Sequence, residues 1–120
     1  FEMSDDIKGF ITEHGLEWRE TADIHNAVKD ADVVYWTRLQ RERLEEGELV
    51  QDEQFVIDQS VLNAMKPTAS ILHPLPRITE IAKEVDTDSR AIYFRQAGNG
   101  LYVRMALLDY LLTQDNPVDK

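Results

Sequence analysis

Two short apolar runs set the terms on which this chain can fold. Val33-Val34-Tyr35-Trp36 is unbroken β-branched and aromatic sequence without the in-and-out alternation of a half-exposed strand, so it reads as a strand buried on both faces, hence parallel to its neighbour. Ser70-Ile71-Leu72-His73 reads as a second short buried strand.

Helical patterns lie between and around them. Ile7, Phe10 and Ile11 recur at helical spacing behind Ser4 and Asp5, which can supply an N-cap, and Gly15 ends that helix. Residues 16–20 read as a short strand. Thr21 or Asp23 can cap a second helix with Ile24, Ala27, Val28 and Ala31 as its stripe. Phe55-Val56-Ile57 precedes a helix over 58–66 whose buried stripe is Val61, Leu62 and Met65, and Pro67 bars its continuation. Ile78, Ile81, Ala82 and Val85 form a further short helical pattern, and 91–94 reads equally as strand or turn. Gln96 to Gly100 reads as a turn into the strongest helix, 101–112, where Leu101, Met105, Leu108 and Leu112 line one face while Val103, Leu107 and Leu111 widen it. Residues 38–53 break the rhythm with a dense run of charge around Gly47, expected as a solvated loop. Alternating helices and strands favour an α/β fold with a parallel sheet.

Composition narrows the function. The 120 residues carry 13 Lys and Arg against 23 Asp and Glu, a formal net charge of -10. No basic face suited to a polyanion is present, so nucleic acid is not an expected partner. With no cysteine and only His14, His25 and His73, the chain offers no disulfide framework, no thiolate nucleophile and no metal-ligand spacing. No apolar run has the length of a membrane span and the first residues lack signal-peptide character, so the expectation is a soluble, cytoplasmic chain.

In an open parallel sheet, ligands gather beyond the carboxyl ends of the strands. After Trp36 comes Thr37-Arg38-Leu39-Gln40. Arg38 can grip a carboxylate through two parallel charge-assisted hydrogen bonds, Gln40 adds an amide, and Glu42 can orient the guanidinium. Spacing alone reads Arg38 more plainly as an exposed residue in a charged loop. After Leu72 comes His73-Pro74-Leu75-Pro76-Arg77, whose prolines fix a turn and leave carbonyls that can accept from a ligand amine. The plainer reading is a structural turn with a structural histidine.

Three blocks, 31–43 (Ala-Asp-Val-Val-Tyr-Trp-Thr-Arg-Leu-Gln-Arg-Glu-Arg), 71–81 (Ile-Leu-His-Pro-Leu-Pro-Arg-Ile-Thr-Glu-Ile) and 93–108 (Tyr-Phe-Arg-Gln-Ala-Gly-Asn-Gly-Leu-Tyr-Val-Arg-Met-Ala-Leu-Leu), resemble consecutive signatures of the aspartate carbamoyltransferase family in order and spacing. The ornithine-specific relatives place a Cys after the His of the second block; here Pro74 stands there. The resemblance spans residues 5–112 and implies an incomplete, Rossmann-like three-layer α/β domain with a parallel sheet and a carboxy-terminal crossover helix. It divides the chain into the distal aspartate-binding domain (1–97), a helix that packs on a carbamoyl-phosphate domain absent from this sequence (98–114) and a tail (115–120).

The implied activity is transfer of a carbamoyl group from carbamoyl phosphate to the amine of L-aspartate, in pyrimidine biosynthesis, with no metal or cofactor. The implied roles are Arg38 as carboxylate anchor, Gln40 beside it, Glu42 as support for Arg38, and main-chain carbonyls of Leu75 and Pro76 on the amine and carbamoyl groups, with Pro74 shaping the turn and His73 as a further supporting residue. The family's turn is cis at Leu75–Pro76, and its segment after Arg38 closes over substrate. A homotrimer is implied for the full enzyme, with room for regulatory subunits. A non-catalytic remnant or interaction module of the same fold is the alternative.

Overall fold

The computed structural model describes residues 2–38 and 55–113. Gln40, Glu42, the rest of the charged segment and the tail lie outside them. Its elements run α1 (Asp5–Glu13), α2 (Ile24–Val28), β1 (Val33–Tyr35), α3 (Gln59–Ala64), β2 (Ser70–Leu72), a 3-10 turn (Lys83–Thr87) and α4 (Tyr93–Thr113).

Local chemistry explains most of these boundaries. Asp23 accepts from Asn26 N at 3.1 Å to start α2, and Asp58 accepts from Ser60 N and Val61 N at 2.9 and 3.0 Å to start α3. Gly15, at φ 69, ends α1 in a conformation that costs a side-chain-bearing residue more. Met65 is extended, so α3 stops before Pro67.

β1 and β2 pair in parallel with Val34 opposite Ile71. Beyond β2, Ile71 N donates to Arg90 O at 2.7 Å and Ile92 N to Ile71 O at 3.1 Å, so residues 90–92 run beside it as a rudimentary third strand. A parallel bridge joins Ile57 to Ile81. Ile57, Val61, Leu62, Ile71, Ile81, Val85 and Tyr93 form the core with Val28 and Val34, each large apolar side chain contributing ~1.5–3 kcal/mol. This is an incomplete α/β domain with a parallel sheet. No helix of the described residues is long and apolar enough to cross a membrane.

Four expectations need correction. Residues 16–20 are not a strand, having no ladder partner among the described residues; they lie along α1, where Trp18 Nε1 donates to Thr12 Oγ1 at 3.3 Å. β1 is not buried on both faces, for Val33 and Tyr35 are 56% and 57% exposed and only Val34 faces the core. The pattern from Ile78 to Val85 is not a helix: Ile78 is exposed, Ile81 joins the bridge, and the 3-10 turn begins at Lys83. Finally, α4 starts at Tyr93, so the segment read as a turn is helical. Gly98 and Gly100 each weaken a helix by about 1 kcal/mol relative to Ala, but buried Tyr93 and the Gln96 N bond to Ile92 O at 2.9 Å anchor it upstream.

Arg90 ties α3 to the third strand. Its Nη1 donates to Leu62 O at 2.7 Å, at the negative end of α3, while Nε and Nη2 grip Asp88 at 2.9 Å each. That grip holds the Asp88 carboxyl down to about 2. Because the folded value lies below the unfolded one, the stabilisation is whole above about pH 4 and is lost as pH falls from 4 to 2, on the order of 2 kcal/mol. Asp86 and Glu80 are also lowered and add the same sign. Urea midpoints across pH 2–6 are therefore expected to fall more shallowly in Asp88→Asn than in the parent; parallel curves would contradict the assignment.

Candidate functional site

The pairing of β1 with β2 brings the two strand exits together. Tyr35 stands opposite Leu72 and Trp36 N donates to Leu72 O at 2.8 Å, so Thr37 and Arg38 leave the same sheet end as His73 to Arg77. Arg38 is exposed there. The first turn of α4 reaches the same end, where Gln96 Oε1 accepts from His73 N at 3.0 Å.

The turn after β2 is built around a buried histidine. Leu75–Pro76 is cis and Leu75 sits at φ 46, as the family resemblance implies for the bond. His73 is 1% exposed. Its Nδ1 accepts from Leu75 N at 2.8 Å, and its Nε2 lies 3.0 Å from Glu80 Oε1. A ring nitrogen that accepts a backbone N–H carries no proton, so the imidazole is neutral and donates its Nε2–H to Glu80. The other Glu80 oxygen accepts from Ile78 N and Thr79 N at 3.0 Å each. Partial burial opposes ionisation of Glu80, but backbone donors from Glu80, Ile78 and Thr79 outweigh it and hold the carboxyl below its usual range.

Among the described residues, no donor reaches the carbonyls of Pro74, Leu75 or Pro76. The Pro74–Leu75 peptide is trans, so fixing Leu75 N–H on the imidazole turns the Pro74 carbonyl away from it. Pro74 and Pro76 are exposed and Leu75 half-buried. This end of the sheet thus offers carbonyl acceptors beside the segment that carries a guanidinium.

Arg77 is spent on structure. Both of its terminal nitrogens bond Asp86, Nη1 also donates to Tyr93 Oη at 3.2 Å, and the guanidinium lies 5.7 and 6.0 Å from the Tyr93 and Phe94 ring centres. Tyr93 donates to Asp86. The Arg77 contact holds Asp86 below the usual carboxylate range, and burial, reinforced by Asp86, pushes Tyr93 up to about 12. The clamp locks the turn to the base of α4.

A second cluster has the composition of a catalytic triad without its geometry. Ser60 Oγ donates to Asp58 Oδ1 at 2.7 Å and so accepts from His25 Nε2 at 3.1 Å. Ser60 and the Val61 N–H hold Asp58 below its usual range, leaving it a weak base. The cluster staples α2 to α3.

Of the residues singled out in the sequence, Arg38, His73, Pro74, Leu75 and Pro76 belong to one sheet end; Gln40 and Glu42 lie outside the described residues. Glu80 and Gln96 were missed as partners of His73. Glu80 sits seven residues beyond it and Gln96 twenty-three beyond it; the first contact is made across a non-helical turn and the second from α4, so no local helical or strand pairing marks either.

Residues 1–111 match the family described as aspartate/ornithine carbamoyltransferase, Asp/Orn binding domain. The chain is 49% identical over 113 residues to aspartate carbamoyltransferase 2, chloroplastic, of Pisum sativum, covering 92% of this chain and 29% of that one. It is 45% identical over 105 residues to the aspartate carbamoyltransferase catalytic subunit of Clostridium perfringens (strain SM101 / Type A), covering 85% and 34%. Among solved structures, aspartate transcarbamoylase from Trypanosoma cruzi in complex with carbamoyl phosphate aligns with a TM-score of 0.78 at 33% identity, covering 88% of this chain and 36% of that one. The same enzyme in complex with N-(phosphonacetyl)-L-aspartic acid aligns at 0.72 and 33%, covering 87% and 32%. The chain therefore spans about a third of the length of its relatives.

Proposed function

The chain belongs to the aspartate/ornithine carbamoyltransferase family through its Asp/Orn binding domain, and we propose that it supplies the aspartate side of carbamoyl transfer from carbamoyl phosphate to L-aspartate. The observation that carries this reading is the pairing of β1 with β2, which sets the Arg38 segment beside the His73–Pro76 turn. Aspartate rather than ornithine is supported by the names of the relatives in pea and Clostridium. Pyrimidine biosynthesis is the corresponding setting, and the cytoplasm its expected compartment.

In the proposed reaction the aspartate α-amine attacks the carbonyl carbon of carbamoyl phosphate. The new C–N bond gives a tetrahedral intermediate; the C–O bond to phosphate then breaks, inorganic phosphate leaves with that electron pair, and the proton lost by the amine goes to the departing phosphate. Arg38 holds a substrate carboxylate in a bidentate fork, with Gln40 alongside and Glu42 orienting Arg38. Turn carbonyls of Leu75 and Pro76, with Pro74 beside them, accept from the amine and the carbamoyl NH₂. Catalysis is positioning and charge stabilisation, with no metal or cofactor. The phosphate-binding half lies in a domain outside these 120 residues, against which residues 98–114 pack, in a homotrimer; the relatives' threefold greater length supports that division.

The test is a hybrid in which residues 2–113 replace the matching third of the Clostridium perfringens relative. It is expected to form N-carbamoyl-L-aspartate, whereas the 120-residue chain alone, with half a site, forms none. A folded hybrid that binds carbamoyl phosphate yet makes no product would overturn the reading.

A further inference from the structure

We propose that His73 and Glu80 are positioning residues, setting the substrate-facing turn through the Leu75 amide. The inference rests on the reading of the turn carbonyls as substrate acceptors. The imidazole is buried like the core side chains, yet all its polar capacity is directed at one short stretch of chain: Nδ1 accepts from Leu75 N–H, and Nε2–H donates to Glu80. A turn needing only apolar filling would be served as well by Leu, without two buried nitrogens to satisfy. The ring instead does what an Asx side chain does in a turn, accepting the N–H two residues on. Unlike Asn, it passes the constraint to a second anchor seven residues away.

Glu80 decides which ring nitrogen accepts. Its ionised carboxylate accepts hydrogen bonds from Nε2–H and two backbone N–H groups, so the imidazole is held with Nδ1 bare. Were the proton on Nδ1, it would confront Leu75 N–H donor to donor. The Leu75 peptide would then have to rotate, carrying the Pro74 carbonyl with it and disturbing Leu75 at φ 46. Gln96 completes the frame by accepting His73 N–H from α4. Neither His73 nor Glu80 is required to touch substrate in this scheme.

Two measurements test it. In the chain itself, ring 15N spectra are expected to show Nδ1 unprotonated and Nε2 protonated near pH 7; an Nδ1–H tautomer would overturn the proposal. In the hybrid, His73→Leu is expected to lower kcat at saturating substrates at least 30-fold, with the far-ultraviolet dichroism unchanged. His73→Asn, which restores an acceptor for Leu75 N–H but cannot reach Glu80 in the same way, should recover a third or more of that loss on a logarithmic scale. Equal impairment of Leu and Asn, or no impairment by Leu, would refute the positioning role. Should His73→Leu fail to fold, Glu80→Gln with the ring spectrum repeated decides: the proposal requires a mixed tautomer and a reduced kcat together, and a kcat unchanged despite tautomer mixing would sink it. An unsubstituted hybrid without activity counts against the functional reading alone, since the ring spectrum stands apart from it.

Discussion

Arg38→Ala in the hybrid enzyme is expected to reduce kcat/KM for aspartate between about 30-fold and a few thousand-fold, corresponding to ~2–5 kcal/mol of lost charged contact. Most of the change should appear as a raised aspartate KM, with carbamoyl phosphate affinity nearly unaltered, because the guanidinium addresses only the amino-acid side of the reacting pair. Arg38→Lys should recover little, since an ammonium keeps the charge but not the planar fork. Stability is a separate matter. Arg38 is exposed beyond β1, so its removal opens no cavity and the melting temperature should move by no more than a degree or two. Aspartate kinetics unchanged in Arg38→Ala would reduce this residue to a surface charge and remove the carboxylate anchor from the proposed site.

The two halves of that site were unequally legible. Arg38 and the prolines stand out through the family resemblance, their spacing alone reading as a charged loop and a structural turn, whereas the strands before them are marked by unbroken apolar sequence; Asp23 and Asp58 mark helix starts by a rule that acts within three residues. Such features are local, and they survive in the fold. The misjudged elements depend on distant partners. Residues 16–20 have strand-like composition, but a strand exists only where another supplies its hydrogen bonds. Ile78 to Val85 carries a helical period, yet Ile81 is claimed by a bridge to Ile57. α4 extends back to Tyr93 because that side chain is fully buried against Arg77 and Asp86, a reason invisible in the propensities of Gly98 and Gly100. Glu80 lies within the 71–81 block, but its significance comes from the contact it makes across the turn with buried His73.

The same dependence on distant partners governs the last two-thirds of α4. The helix has 21 residues, about 31 Å of length, and Tyr93 alone is buried. Leu101, Met105 and Leu108 are 58–59% exposed and Leu112 82%. With Val103, Leu107 and Leu111 also exposed, the apolar surface extends over several hundred Å², more than soluble monomers usually show. A helix apolar on adjoining stripes has nowhere to hide them except against another body. The isolated 120-residue chain is therefore expected to self-associate through α4, with sedimentation and light scattering giving a mass above the monomer at tens of micromolar. The exposed faces of Val33 and Tyr35 on β1 offer a rival seam, and truncation after Gly100 separates the two. That cut retains Tyr93 in the core and Gln96 on His73, so the domain should keep its fold while losing the apolar helix. If α4 is the seam, the shortened chain sediments as a monomer and remains cooperatively folded. Equal association of the shortened chain would assign the contact to β1, and a monomeric full chain at high concentration would refute the argument from exposure altogether.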